Sequence, residues 1–325
     1  MLAFAAMIPD DKLREQLAHT LQKFDAPALG ELYRGKVRDN YSRGDRIVMV
    51  TTDRISAFDH VLGTIPFKGE VLSRLTRFWF DKVKDVAPTH ILDNPDPSVM
   101  VVKRAQPFPV EIIIRGYITG SLWRDYVAGK AGAYGIDWPQ GLRKDQKFTL
   151  PILTPSTKAQ YGKHDEPISE KAIVEQGLVP AKVWEEATAV ARALFQRGQE
   201  WAASRGLILV DTKYEMGIAD GKLVVIDEIH TPDSSRYWIA KGYEERLAAG
   251  QDQQMLDKEN IRQWLITEHG FSGHGKPPAL TDDVRVMLAR KYIEVFELLT
   301  GEKFESPVGS VDARIRANLA AKGYL

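Results

Sequence analysis

Residues 207–238, LILVDTKYEMGIADGKLVVIDEIHTPDSSRYW, hold the densest set of groups able to do chemistry in this chain. Residues 207–210 are a continuous apolar run after Gly206, the pattern of a strand covered on both faces. Asp211, Lys213 and Glu215 then alternate with Thr212, Tyr214 and Met216, so on a continuing strand the three charges share one face. Asp220-Gly221 signals a hairpin, because a tight turn between twisted strands needs positive φ. The returning run 223–226 leads straight into Asp227-Glu228. A two-residue turn pairs Ala219 with Lys222 and hence Lys213 with Glu228, putting Glu228 on the charged face. A bulge at Gly217 or a three-residue turn slips the register by one and puts Asp227 there instead. The pattern alone leaves both registers open. Either one presents at least two carboxylates beside a lysine, with the polar segment 231–236, ending in Arg236, immediately downstream. Carboxylates on a rigid hairpin suit Mg²⁺, a hard cation that takes one or two of them and fills its remaining positions with water and substrate phosphates. Alone, a D-x-K-x-E strand reads first as a salt-bridged, solvent-facing surface. The Asp-Glu pair and the Ser-Ser-Arg segment turn the reading towards a site.

Three further stretches carry polar groups in suggestive order. GELYRGKVRD at 30–39 nearly spells a Gly-x4-Gly-Lys phosphate loop, but Val37 stands where Ser or Thr is required and no strand precedes it. It reads better as a strand, a bend at Gly35-Lys36 and a second strand to Tyr41, with Arg34, Lys36 and Arg38 alternating onto one face. Such basic groups suit phosphates, and equally an edge hairpin protected by cations. Residues 53–59, DRISAFD, follow a strand as a polar loop. Arg115 to Ser121 leaves a strand through two glycines and enters a helix, an arrangement that fits an anion at a helix N-terminus or a simple Ser cap. The long polar segment 150–165 carries Thr154, Ser156, Thr157, Lys158, His164 and Asp165. His164 by itself says little.

The elements that position these groups follow from periodicity. Leu13, Leu17, Leu21 and Phe24 predict an amphipathic helix after Pro9, and Leu72, Leu75, Phe78, Trp79 and Val83 predict another over 68–86. Residues 180–205 form the clearest helix, started by Pro180 and ended by Gly206. Helices are also expected over 258–269, over 281–300 capped by Thr281, and after Asp312. The proline-punctuated link Gln106 to Pro109 is the expected lobe boundary. At 325 residues the chain exceeds the usual single-domain size, so two lobes are expected. Lys plus Arg and Asp plus Glu balance at 44 each, which argues against a nucleic-acid partner. With no cysteine, the chain offers no disulfide, thiolate metal site or thioester route. No signal peptide, membrane span or internal repeat is read.

GKVRD at 35–39, DRISAFD at 53–59, VEIIIRGYITGSLW at 110–123, TPSTKA at 154–159, HDEPIS at 164–169, DTKYEMG at 211–217 and IDEIHTPDSSRYW at 226–238 together resemble SAICAR synthetase. The resemblance runs in order from about Leu32 to Leu325, in the longer, yeast-like form. It implies an ATP-dependent amide-forming ligase of purine biosynthesis that joins aminoimidazole carboxylate ribonucleotide (CAIR) to L-aspartate, giving SAICAR, ADP and phosphate, most plausibly through an acyl phosphate. The implied fold is α+β and two-lobed: an antiparallel-sheet ATP lobe of the ATP-grasp or kinase kind at 1–106, a larger α/β lobe with the metal hairpin at 107–250, and C-terminal helices at 251–325. By the same resemblance, Gly35, Lys36 and Arg38 clamp the ATP phosphates. Glu215 and Asp227 are the Mg²⁺ carboxylates, a choice that requires the slipped register. Arg115, Ser121 and Arg236 hold the ribonucleotide phosphate, Lys213 and Lys36 act in catalysis, and Asp53, Arg54, Ser56, His164 and Asp165 line the substrate loops. A cytoplasmic monomer or small homo-oligomer, with no membrane partner, is expected.

Overall fold

A computed structural model describes residues 8–58, 60–158, 165–256 and 259–325. The fold is α+β, and the chain divides into two compact units. One contains residues 1–78, 90–104 and 256–325; the other contains 79–89 and 105–255.

The first unit is built on a five-stranded antiparallel sheet. Its strands are β1 (Glu31–Arg34), β2 (Arg38–Arg43), β3 (Arg46–Thr51), β6 (Ile91–Asp96) and β7 (Val99–Lys103), in the order β1-β2-β3-β7-β6. β4 (Arg54–Ala57) and β5 (His60–Thr64) form a separate two-stranded hairpin. Period-two alternation divides the sheet's apolar residues between its faces. Tyr41, Val48, Val50, Val99 and Val101 pack with Leu21 and Phe24 and with Val311, Ile315 and Leu319 of the C-terminal helix Val311–Ala321. Met49, Met100 and Val102 form the opposite face. Ile315 is fully buried, so its truncation to Ala removes about 2–5 kcal/mol. The Asp282–Thr300 helix is capped by the Thr281 hydroxyl and ends at Gly301 in the left-handed region, as its sequence predicts.

Two expectations for this unit change. The helix predicted through Leu21 and Phe24 stops as an α-helix at Gln16, with one 3₁₀ turn to His19. Beyond it, the Leu21 and Phe24 N–H groups donate to the Asp53 and Asp39 carboxylates, bonds that compete with continuing the helix. DRISAFD is not a loop either, because residues 54–57 pair as β4 with β5.

The second unit is organised around β12 (Leu207–Ala219). β12 pairs antiparallel with β8 (Gln106–Pro107), β9 (Val110–Tyr117), β13 (Lys222–Ile226) and β14 (Ser235–Ile239), while β10 (Lys147–Leu153) and β11 (Ser156–Thr157) join β9. The helix Ala181–Ser204 packs on β12, with Ala187, Ala191, Leu194, Phe195, Gly198 and Ala202 on its buried side. Small residues there bring the helix backbone close to the sheet. Asp220 and Gly221 both have positive φ, and Ala219 pairs with Lys222, so the hairpin is the two-residue turn expected from Asp-Gly.

Candidate active site

Strand pairing lines up the first charged group. Asp211 of β12 stands opposite Arg115 of β9 on one side and Arg236 of β14 on the other. Asp211 Oδ2 accepts from Arg115 Nη1 at 3.0 Å and from Arg236 Nη1 at 2.5 Å. Arg115 Nε donates to Thr154 Oγ1 at 2.8 Å, and its Nη2 reaches Ser121 Oγ at 3.4 Å. Two guanidiniums flank Asp211 near the start of the helix Gly120–Val127, whose dipole is positive there, and the buried Asp145 also acts on Arg236. Glycine suits this point: Gly120 has φ +57°, which L side chains rarely adopt, and a Cβ would push the Arg236 guanidinium out of place. Thr119, not Ser121, occupies the helix cap position, and it makes no side-chain cap bond. Ser121 is therefore not a cap, and its hydroxyl faces Arg115.

Two and four residues along the same face lie Lys213 and Glu215. Lys213 Nζ donates to Glu111 Oε1 and Glu215 Oε1, both at 2.8 Å, and Lys158 pairs with the other Glu215 oxygen. Burial pulls the Lys213 ammonium down, but Glu215, Glu111 and Asp227 outweigh it and hold the group well above the ordinary lysine value. Burial likewise raises Glu215, yet Lys213 and Lys158 keep it well below the usual carboxylate range. The neighbouring carboxylates favour the charged ammonium of Lys213.

The hairpin register resolves the two alternatives in an unforeseen way. Glu215 pairs with Ile226, which is the unslipped register that would send Asp227 away from the charged face if the strand continued. β13 ends at Ile226, however, and Asp227 adopts φ +65°, breaking the alternation. Asp227 acts electrostatically on Lys213. Glu228 is buried and accepts from Thr231 Oγ1 at 2.6 Å. The slipped register that the choice of Asp227 required is absent. His230 follows with φ +56°, fully buried; burial pushes its pKa down to about 3, so the ring is neutral.

The candidate phosphate residues of the first unit sit on the β1–β2 connection. Gly35 N–H donates to the Arg38 carbonyl at 2.8 Å, closing the bend. The three cations do not form one row, because residues 36–37 interrupt the alternation. Arg34 pairs with Asp25 and Asp39, Arg38 is buried, and Lys36 is exposed. Arg54 is 4% exposed and braces the bend from beneath: it donates to the carbonyls of Gln22, Lys36 and Gly35 and to Asp39 Oδ1. Asp53 is also buried; its carboxylate accepts from Leu21 and Gly69 N–H, joining the N-terminal segment to the start of the helix Lys68–Val83. Burial raises its pKa to about 6, against the lowering effect of those N–H groups and of Lys68 and Arg314. With these side chains engaged inside the unit, Asp53 and Arg54 hold loops in place. Ser56 is half-buried on β4, and Asp165 is exposed. His164 lies outside the described residues.

Sequence reasoning passed over Glu111 and Asp39, and placed Lys158 only within the polar segment 150–165. Glu111 was detectable, since it alternates with Ile113 and Arg115 on β9 and therefore shares a face with a candidate residue. Lys158 and Asp39 carried no such signal, because their partners, Glu215 and Arg54, come from distant segments.

Comparison with known proteins supplies the family. Residues 31–277 match the family model described as SAICAR synthetase. A phosphoribosylaminoimidazole-succinocarboxamide synthase from Legionella pneumophila (strain Lens) is 45% identical over 297 residues, covering 89% of this chain and 95% of that protein. One from Bacteroides thetaiotaomicron is 46% identical over 307 residues, covering 93% and 98%. A solved SAICAR synthase from Saccharomyces cerevisiae, complexed with SAICAR, superposes with a TM-score of 0.76 at 33% identity, over 88% of this chain and 100% of that one. The chain belongs to the SAICAR synthetase family.

Proposed function

We propose that the chain catalyses the reaction of its family through the residues located above. It is an ATP-dependent ligase of purine biosynthesis that condenses CAIR with L-aspartate to give SAICAR, ADP and phosphate. The observation that carries this reading is the similarity to the synthases over nine-tenths of the chain, for which the geometry supplies suitable parts.

A carboxylate is a poor electrophile. In the proposed course, a CAIR carboxylate oxygen attacks the ATP γ-phosphorus and ADP departs, leaving an acyl phosphate. The aspartate amine then attacks the acyl carbon, phosphate leaves with the C–O electron pair, and the nitrogen gives up a proton. Both steps move negative charge, and positioned cations are the main catalytic resource for such transfers. Lys213 fits that role because the surrounding carboxylates keep it protonated. Arg115 and Arg236 suit the ribonucleotide phosphate, which would join Asp211 as a second anion between them. In the β1–β2 bend, an added Cβ at Gly35 would meet nothing closer than 3.4 Å, so packing within the fold does not demand glycine there. A phosphate approaching the backbone would explain it, with Lys36 exposed alongside.

Glu215 and Asp227 fit Mg²⁺ by donor type. Both act on the same Lys213 ammonium, and a hard cation needs only one or two such carboxylates. Bound there, Mg²⁺ would neutralise charge on the phosphates. Among the described residues no helix is long and apolar enough to cross a membrane. A cytoplasmic monomer or small homo-oligomer is the proposed state.

The test is ADP and phosphate release from purified protein given ATP and Mg²⁺, with CAIR and L-aspartate supplied separately and together. Release coupled to SAICAR only with both substrates is expected. ATP binding without turnover under those conditions would overturn the reading.

A further inference from the structure

His230 accumulates several costs in one place. Its ring Nε2 and Tyr214 Oη lie 2.5 Å apart, and its carbonyl accepts from Tyr237 Oη at 2.8 Å, so β12 and β14 both hold the turn that follows β13. The ring stands edge-on to Trp79 at 4.5 Å. It also fills the space over Gly198, where a Cβ would come within 2.6 Å of the His230 Cε1 atom. A glycine inside the Ala181–Ser204 helix weakens that helix, and here its missing side chain makes room for an imidazole. Nδ1 is buried without a hydrogen-bond partner, and exchanging the tautomer at Nε2 does not supply one. Asp227 and His230 are both non-glycine residues with positive φ, and they bracket Glu228-Ile229.

A leucine would fill this space without an orphaned nitrogen. What leucine cannot do is bond Tyr214, whose neighbours on the opposite face of β12 are Lys213 and Glu215. The Tyr214–His230 contact therefore joins the strand bearing Glu215 to the turn bearing Asp227, from beneath the charged face. We propose that His230 is a positioning residue: seated against Gly198 and bonded to Tyr214, it holds the left-handed turn at Asp227 in place relative to Glu215. The inference rests on the assignment of Glu215 and Asp227 as the Mg²⁺ carboxylates.

The experiment uses full-length Tyr214→Phe, His230→Leu, His230→Gln and, as control, Asp227→Asn. Mn²⁺ binding in the presence of ADP is titrated by electron paramagnetic resonance, alongside half-saturating Mg²⁺ for turnover, KM for L-aspartate and the thermal midpoint. Tyr214→Phe and His230→Leu should each weaken Mn²⁺ binding by roughly tenfold, the loss typical of removing a group that orients a metal ligand, and leave KM for aspartate unchanged. His230→Gln, whose amide oxygen can accept from Tyr214, should recover most of the loss. Unaltered Mn²⁺ affinity with only a lowered midpoint would overturn the proposal. If His230→Leu fails to fold, Tyr214→Phe decides the outcome, since it removes one oxygen and keeps the ring. If Asp227→Asn weakens Mn²⁺ binding and the Tyr214 and His230 variants do not, this inference alone falls. If Asp227→Asn binds Mn²⁺ as the parent does, the metal assignment fails and takes the inference with it.

Discussion

Removing Asp211 gives the sharpest test of the anion site. The carboxylate is buried and stands between Arg115 and Arg236, and one oxygen, Oδ2, takes both bonds. Arg115 is itself only 5% exposed, so Asp211→Ala strands a buried cation. Breaking a buried pair in this way costs about 3–5 kcal/mol. Asp211→Asn keeps an oxygen acceptor and loses only the charge. It leaves both guanidiniums without the compensating charge, so its stability should fall between those of the parent and Asp211→Ala. Trp79, Trp123, Trp138, Trp184, Trp201 and Trp238 all lie in the unit that contains Asp211, so tryptophan fluorescence during urea unfolding reports on it. The measurement is the midpoint at constant slope, with and without inorganic phosphate. Without the carboxylate the two guanidiniums bind phosphate more tightly, and by linkage phosphate should stabilise Asp211→Ala more than the parent. A loss below about 1 kcal/mol for Asp211→Ala, or equal phosphate responses, would refute the account of Asp211 as the internal counter-ion of an anion site.

Three other outcomes are expected. Lys213→Ala should lower kcat by about 10²–10³-fold, as loss of a positioned charge-stabilising group does, and the parent's kcat profile should show no alkaline limb from Lys213 up to pH ~9, because its pKa lies well above the ordinary lysine value of about 10.4. Asp53 has a folded pKa of about 6 against an ordinary aspartate value of about 3.9, so the folded state binds the extra proton and the contribution to stability grows as pH falls through 6. Relative to Asp53→Asn, the parent should gain about 1.4 kcal/mol between pH ~7.5 and pH ~5 in urea unfolding; a constant difference would count against it. Arg54→Lys keeps the charge but cannot reproduce four bonds from one planar fork, so KM for ATP should rise about tenfold with the Lys36 bend loosened, while KM for aspartate holds steady.

Local pattern determined a good deal of this protein. Periodicity and caps located the helices Ala181–Ser204 and Asp282–Thr300, and Asp-Gly determined the turn between β12 and β13. Alternation put Asp211, Lys213 and Glu215 on one face, because strand geometry makes that a property of spacing alone. The ordered motifs from Gly35 to Trp238 are enough to identify the family. Tertiary structure decided what depends on partners far along the chain. Arg54 reads as a loop residue until Gln22, Gly35, Lys36 and Asp39 surround it, and Glu215 acquires Lys158 only through folding. Asp227 shows the limit most clearly. Pattern can count residues across a turn, but it has no access to a single backbone torsion, and the positive φ at Asp227, just past the end of β13, breaks the alternation without changing the register.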